Sequence, residues 1–117
     1  MIKNGTRVVY ETRGDSLVVH VDGEIDHHSA LALREKVDRQ IAALRPKELV
    51  IDLAAVDFMD SSGLGLILGR VEAASGVSAT VRLTGLSPTL MKLVRLAGLE
   101  RVKNLTVSKI GETEVKK

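Results

Sequence analysis

Asp60-Ser61-Ser62-Gly63 stands between a short apolar lead, Val56 to Met59, and the glycine-laden stretch Leu64-Gly65-Leu66-Ile67-Leu68-Gly69-Arg70. Two hydroxyls beside a carboxylate at such a junction suit three kinds of chemistry. Asp60, Ser61 or Ser62 can cap a helix by accepting from a first-turn N–H, contributing about 1 kcal/mol, and the two serines have further options. Each can be a nucleophile if a histidine serves as base, and His20, His27 and His28 are available. The helix start can also hold a phosphate, because its free N–H groups and dipole favour negative charge. The segment lacks the Gly-x-Ser-x-Gly nucleophile elbow, and its spacing singles out no base. It also lacks the glycine–lysine pattern of a nucleotide loop, although a covalently attached phosphate remains compatible with it. Gly63, Gly65 and Gly69 inside one short helix each cost roughly 1 kcal/mol relative to alanine when exposed, so they imply a role beyond helix formation. Gly65 and Gly69 share a helix face. That bare stripe admits either another molecule or the protein's own sheet.

A second acidic constellation is Glu24-Ile25-Asp26-His27-His28-Ser29. Adjacent histidines point apart and have no i, i+4 partner here, so the spacing does not suit a metal. Asp26 or Ser29 as the cap of a following helix is the plainer reading. Arg70 reads as a solvated helix charge, and Phe58 and Met59 as core or rim residues, an exposed Met59 suiting an interface.

These residues need elements to position them. Thr6–Arg13 and Ser16–Asp22 read as strands joined at Gly14-Asp15, a hairpin. From Ser29, apolar residues at Ala30, Leu33, Val37, Ile41 and Leu44 have helical spacing, with Arg34, Glu35, Asp38 and Arg39 on the wet side and Pro46 as the stop. Glu48–Leu53 is a short, apolar, central strand. A helix over Ser62–Ala74 follows, burying Leu64, Ile67, Leu68 and Val71, with Gly76 as its stop. Ala79–Thr84 alternates as a strand. Ser87-Pro88 caps a third helix carrying Leu90, Leu93, Val94 and Ala97, closed by Gly98. Leu105–Ile110 is a last strand, and the polar tail 111–117 frays. The order β-β-α-β-α-β-α-β predicts an α/β fold: one mixed sheet of four to five strands packed against three or four helices.

Composition bounds the partners. The chain of 117 residues is read as one domain, with a core over about 6–110. Tyr10 and Phe58 are its only aromatics, so base-stacking platforms for single-stranded nucleic acid are missing. A net charge of +2 without a dense basic run argues against DNA or an anionic membrane as partner. There is no cysteine, and no apolar run approaches the roughly 20 residues of a membrane span. A cytoplasmic monomer is expected.

Asp57 to Arg70 resembles the signature of the anti-sigma factor antagonists, a group of STAS-domain proteins. Gly23 to Ala30 also matches, with a particular likeness to the sporulation branch. Ser87-Pro88 and Leu96-Ala97-Gly98-Leu99 fit the family's third helix and its exit. The resemblance spans residues 7–110 and implies a binding switch rather than an enzyme. In that family the unphosphorylated antagonist binds an anti-sigma factor, and the sigma factor is released. The anti-sigma factor is also a serine kinase, which phosphorylates the first serine of the motif, here Ser61. The antagonist then dissociates, and a serine phosphatase restores it. The resemblance implies that Asp60, Ser61, Ser62 and Gly63 form the partner-binding loop with Asp26 and His27 beside it. It also implies that the chain needs no cofactor, ATP being used by the kinase. The family's further C-terminal helix is expected to be truncated or absent. The alternatives are a STAS module of another regulatory assembly, such as general stress, a small serine hydrolase, or a domain of an anion transporter.

Overall fold

A computed structural model describes residues 6–109 and residue 111. Among them, the strands are β1 (Thr6–Arg13), β2 (Ser16–Ile25), β3 (Glu48–Met59), β4 (Thr80–Leu86) and β5 (Leu105–Lys109). The helices are α1 (His27–Leu44), α2 (Ser61–Ser75) and α3 (Pro88–Leu96), with a 3-10 turn at Leu99–Arg101. The expected element order and mixed sheet are present. The residues beyond Lys109, Gly111 excepted, lie outside the described residues, and with them Ile110 and the expected polar tail.

The five strands lie in sequence order. The β1–β2 hairpin is antiparallel, and every later neighbour is parallel. Each crossover therefore steps the same way across the sheet. Right-handed crossovers taken in a constant direction put every connecting helix on one face. The core agrees: Leu33, Val37 and Ile41 of α1, Ile67 and Ala74 of α2, and Leu90 and Val94 of α3 pack with Leu17, Val19, Leu49, Ile51, Val81 and Leu83. Parallel sheets are usually covered on both faces. Here the second face carries polar side chains, among them His20, Asp52 and Arg82, around a shallow cavity of about 360 Å³.

Parallel β2, β3 and β4 also end at one edge of the sheet, so the N-termini of all three helices gather there. Two strands run further than their hydrophobic pattern indicates. β2 continues to Ile25 and β3 to Met59 rather than ending at Asp22 and Leu53. β3 pairs with β4 only as far as Asp52, then continues beside β2 alone. Register shifts between His20 and Asp22 and between Gly23 and Glu24 break the period-two alternation. That broken alternation hides the extension from a reading of the sequence.

Helix α2 is rotated relative to the expected face. Its buried residues are Gly63, Ile67, Arg70 and Ala74, whereas Leu68 is exposed and Leu64 and Val71 are only partly covered. Arg70 is not a solvated charge. Its side chain is 6% exposed, with Nη1 2.8 Å from Asp38 Oδ1 on α1 and donating to the Arg34 carbonyl at 3.2 Å. Asp38 lies off the N–H axis, so the contact is an ion pair without hydrogen-bond alignment. Hydropathy alone assigns charges to the wet side, so it points Arg70 outward and its partner Asp38 with it. Burial draws the guanidinium pKa down, opposed by the Asp38 charge.

Gly76 ends α2 in a right-handed conformation, and Ser78 supplies the left-handed turn (φ 63°) that follows. Gly98, at φ 79°, closes α3 as expected.

Candidate functional site

The site is built where β2 and β3 end side by side. Ile25 and Met59 are in register, and the Asp60 N–H donates to the Ile25 carbonyl at 3.3 Å. The residue after each strand is an aspartate that caps a helix, so two acidic N-caps stand at the ends of adjacent strands. Asp26 makes a reciprocal cap with Ser29: its Oδ1 accepts from Ser29 N–H at 3.0 Å, and its own N–H donates to Ser29 Oγ at 2.9 Å. Asp26 and Ser29 are therefore one capping box rather than alternative caps. The Ser29 backbone hydrogen bond lowers the Asp26 pKa, with desolvation opposing it. Asp60 accepts from Ser62 N–H at 2.8 Å.

Capping by Asp60 leaves both hydroxyls free of that task. Ser61, first residue of α2, is exposed, and its hydroxyl has no hydrogen-bond partner among the described residues. Ser62 is half-buried and lines a groove of about 270 Å³ with His27, Ala30, Leu31, Arg34, Gly65 and Leu66. The structure thus brings Asp26 and His27 beside Asp60, Ser61 and Ser62. Gly63 lies beneath them, buried. A Cβ there would collide with the Met59 side chain and come within 3.3 Å of Ile25 Cγ2, so only glycine lets α2 seat on the ends of β2 and β3. Met59 is correspondingly buried and is no interface residue, whereas Phe58 is half-exposed.

The glycine stripe divides in two. A Cβ at Gly65 or Gly69 would meet no atom within 4 Å. These two do not serve packing against the sheet; Gly65 leaves the groove beside Ser62 shallow. The exposed Leu31 stands on the same groove.

No imidazole is hydrogen-bonded to Ser61 or Ser62 among the described residues. His27 and His28 lie edge to face, ring centroids 6.2 Å apart, and His28 faces a different groove. His20 lies on the open face of the sheet, bound to Glu11 and Asp52. The nucleophile–base contact that a serine hydrolase requires is not formed. Among the described residues no three His, Cys, Asp or Glu side chains group as metal ligands. No helix among them is long and apolar enough to cross a membrane.

A family model of the STAS domain matches residues 7–114. The chain belongs to the STAS-domain family. It is 31% identical over 102 residues to the anti-sigma F factor antagonist of Paenibacillus polymyxa, spanning 85% of this chain and 87% of that protein. It is 32% identical over 97 residues to the anti-sigma-B factor antagonist of Bacillus subtilis, spanning 83% and 87%. Among solved structures, the phosphorylated form of the Bacillus cell fate determinant SpoIIAA superposes with a TM-score of 0.68 at 28% identity, covering 92% of this chain and 93% of that one. Sequence reasoning missed the buried Arg70–Asp38 pair and the split role of the STAS glycine stripe. Both depend on how α2 is rotated, which no local signal reports.

Proposed function

We propose that this STAS domain is an anti-sigma factor antagonist whose binding is switched off by phosphorylation of Ser61. The observation that carries the reading is the exposed, unengaged Ser61 hydroxyl at the start of α2, beside a second acidic cap on the neighbouring strand. Similarity to anti-sigma factor antagonists of the F and B types supports the antagonist role. The phosphorylated form of SpoIIAA, a related chain, supports phosphorylation as the switch.

The partner is an anti-sigma factor that is itself a serine kinase using ATP, and a serine phosphatase reverses the mark. Asp26, His27, Asp60, Ser62 and Gly63 shape the surface that it reads. A phosphate adds a charge of about −1.5 to −2 at Ser61. The α2 N-terminus tolerates that charge, because its dipole and first-turn N–H groups face it. The helix therefore stays folded. The cost falls on docking: a dianion beside Asp60 and Asp26 must be desolvated in the interface with no partner built for it. A penalty of about 3 kcal/mol corresponds to roughly a hundredfold loss of affinity.

The test incubates the protein with a candidate anti-sigma kinase and ATP, maps the modified residue by mass spectrometry and measures binding of Ser61→Ala and Ser61→Asp. Ser61→Ala should bind and resist modification, whereas Ser61→Asp should bind at least tenfold more weakly. Equal binding by the two variants would remove the switch. Similarity to both the F-type and B-type antagonists keeps a general-stress assembly as the second reading. Capture by one kinase and not the other separates the two.

A further inference from the structure

The open face of the sheet carries a bridge that the Ser61 site does not use. His20 on β2 sits between two carboxylates from flanking strands: Nε2 is 2.8 Å from Glu11 Oε1 on β1, and Nδ1 is 2.7 Å from Asp52 Oδ2 on β3. Ionised carboxylates only accept hydrogen bonds. A neutral imidazole has one N–H, so its other nitrogen would aim a lone pair at an oxygen. Both contacts are satisfied together only by the imidazolium.

Asp52 has a second task. Its other oxygen, Oδ1, accepts from Ala54 N–H at 3.0 Å. Asp52 is the last residue of β3 paired with β4, and the β2–β3 register shifts directly after the His20–Asp52 pair. From there β3 runs beside β2 alone to Met59 and delivers Asp60 and Ser61. The backbone there is tightly walled: a Cβ on Gly85 (φ 75°) would lie 2.8 Å from Ala54 N and 2.9 Å from Asp52 Oδ1.

We propose that the Glu11–His20–Asp52 bridge is a proton-dependent latch on the direction of β3, linking the open face of the sheet to the geometry of the Ser61 loop. The latch is independent of whether Ser61 accepts phosphate. The charged groups around His20 set its direction of action. From β1 come Glu11 and Arg13, which bind each other at 2.7 Å, and Arg7, which pairs with Asp22 of β2 itself. From β3 come Asp52 and Glu48, the latter held by Arg82 of β4 at 3.0 Å and by Ser16 of β2 at 2.8 Å. Lys109 of β5 lines the same cavity. When His20 loses its proton the ring keeps one N–H and no charge; Glu11 keeps Arg13, whereas Asp52 loses its hydrogen-bonded cationic partner in either tautomer. The change is therefore felt on the β3 side. The Glu11 hydrogen bond and then that from Asp52 raise the His20 pKa, with burial opposing. The latch is complete below the ordinary histidine pKa and opens as pH rises through the raised one.

The experiment uses the chain with His27→Gln and His28→Gln, which leaves His20 as its only histidine. Nitrogen-15 NMR follows both ring nitrogens and the amides of Ala54 and Asp60–Gly63 during a pH titration. Both ring nitrogens should be protonated below a midpoint that lies above about 6.5. The Ala54 and Ser61 amides should shift with that same midpoint, and Glu11→Gln should lower it. A ring midpoint at or below about 6.5 overturns the latch. So do Asp60–Gly63 amides that stay still while the ring titrates. Both readouts come from the folded protein, so a poorly folding Glu11→Gln leaves the test intact.

Discussion

Removing Asp38 should damage this protein far more than removing its buried partner. Arg70 keeps a side chain 6% exposed, whereas that of Asp38 is 38% exposed. Asp38→Ala leaves a guanidinium enclosed between α1 and α2 with the Arg34 carbonyl at 3.2 Å and no partner for Nε. Breaking a fully buried pair from one side costs about 3–5 kcal/mol. Asp38 stands at the edge of the contact, where water can follow the deletion, so the cost falls to the bottom of that range or just below it, about 2–3 kcal/mol. At about 4 °C per kcal/mol for a chain of this length, the melting temperature should fall by about 8–12 °C. Arg70→Met removes the charge and keeps an apolar stem of similar reach. Asp38 then rehydrates at the surface, and the variant should stay within about 1 kcal/mol of the parent, because exchanging a buried ion for an apolar side chain is often neutral or better. Urea denaturation followed by circular dichroism checks both, the midpoint moving at constant m-value if only native stability changes. Equal losses in the two variants, or a larger loss for Arg70→Met, would show that the guanidinium is held by something other than Asp38.

Gly63→Ala should destabilise by about 1–3 kcal/mol through its clash with Met59, whereas Gly65→Ala should raise stability by up to about 1 kcal/mol because its Cβ meets open space. Thermal melts of the pair check this, and an equal loss in both would refute the division of the stripe. Asp26→Ala removes the acceptor side of the capping box and should cost about 1 kcal/mol, with hydrogen exchange accelerating first at the Ser29 amide. Glu11 has a carboxyl lowered to about 2 by hydrogen bonds from Arg13 and then His20. Its contribution is present above the ordinary 4.5 and is lost as pH falls towards about 2. Exchange protection at the β1 amides should decline through that window and be flat there in Glu11→Gln.

Element types were legible in the sequence because they depend on local signals. Alternation at Ala79 to Thr84, helical spacing from Ala30 to Ile41, and Ser87-Pro88 before an apolar stripe each report on their own segment. The Ser61 loop was legible for the same reason, as a carboxylate and hydroxyls at a strand–helix junction. The ends of β2 and β3 were not, because register shifts place side chains out of step with the period that marks a strand.

By itself the sequence determined the element order and a helix cap among Asp60, Ser61 and Ser62, and the structure gave that cap to Asp60 and left Ser61 exposed. Only the tertiary structure decided that Asp26 stands beside Asp60, since that neighbourhood follows from pairing Ile25 with Met59, residues 34 positions apart. Only it decided that α2 buries Gly63 and Arg70 and leaves Gly65 open. Helix rotation is set by what the neighbouring helix and strand ends can accommodate, so a small residue under Met59 and a charge opposite Asp38 outweighed the hydropathy of Leu68.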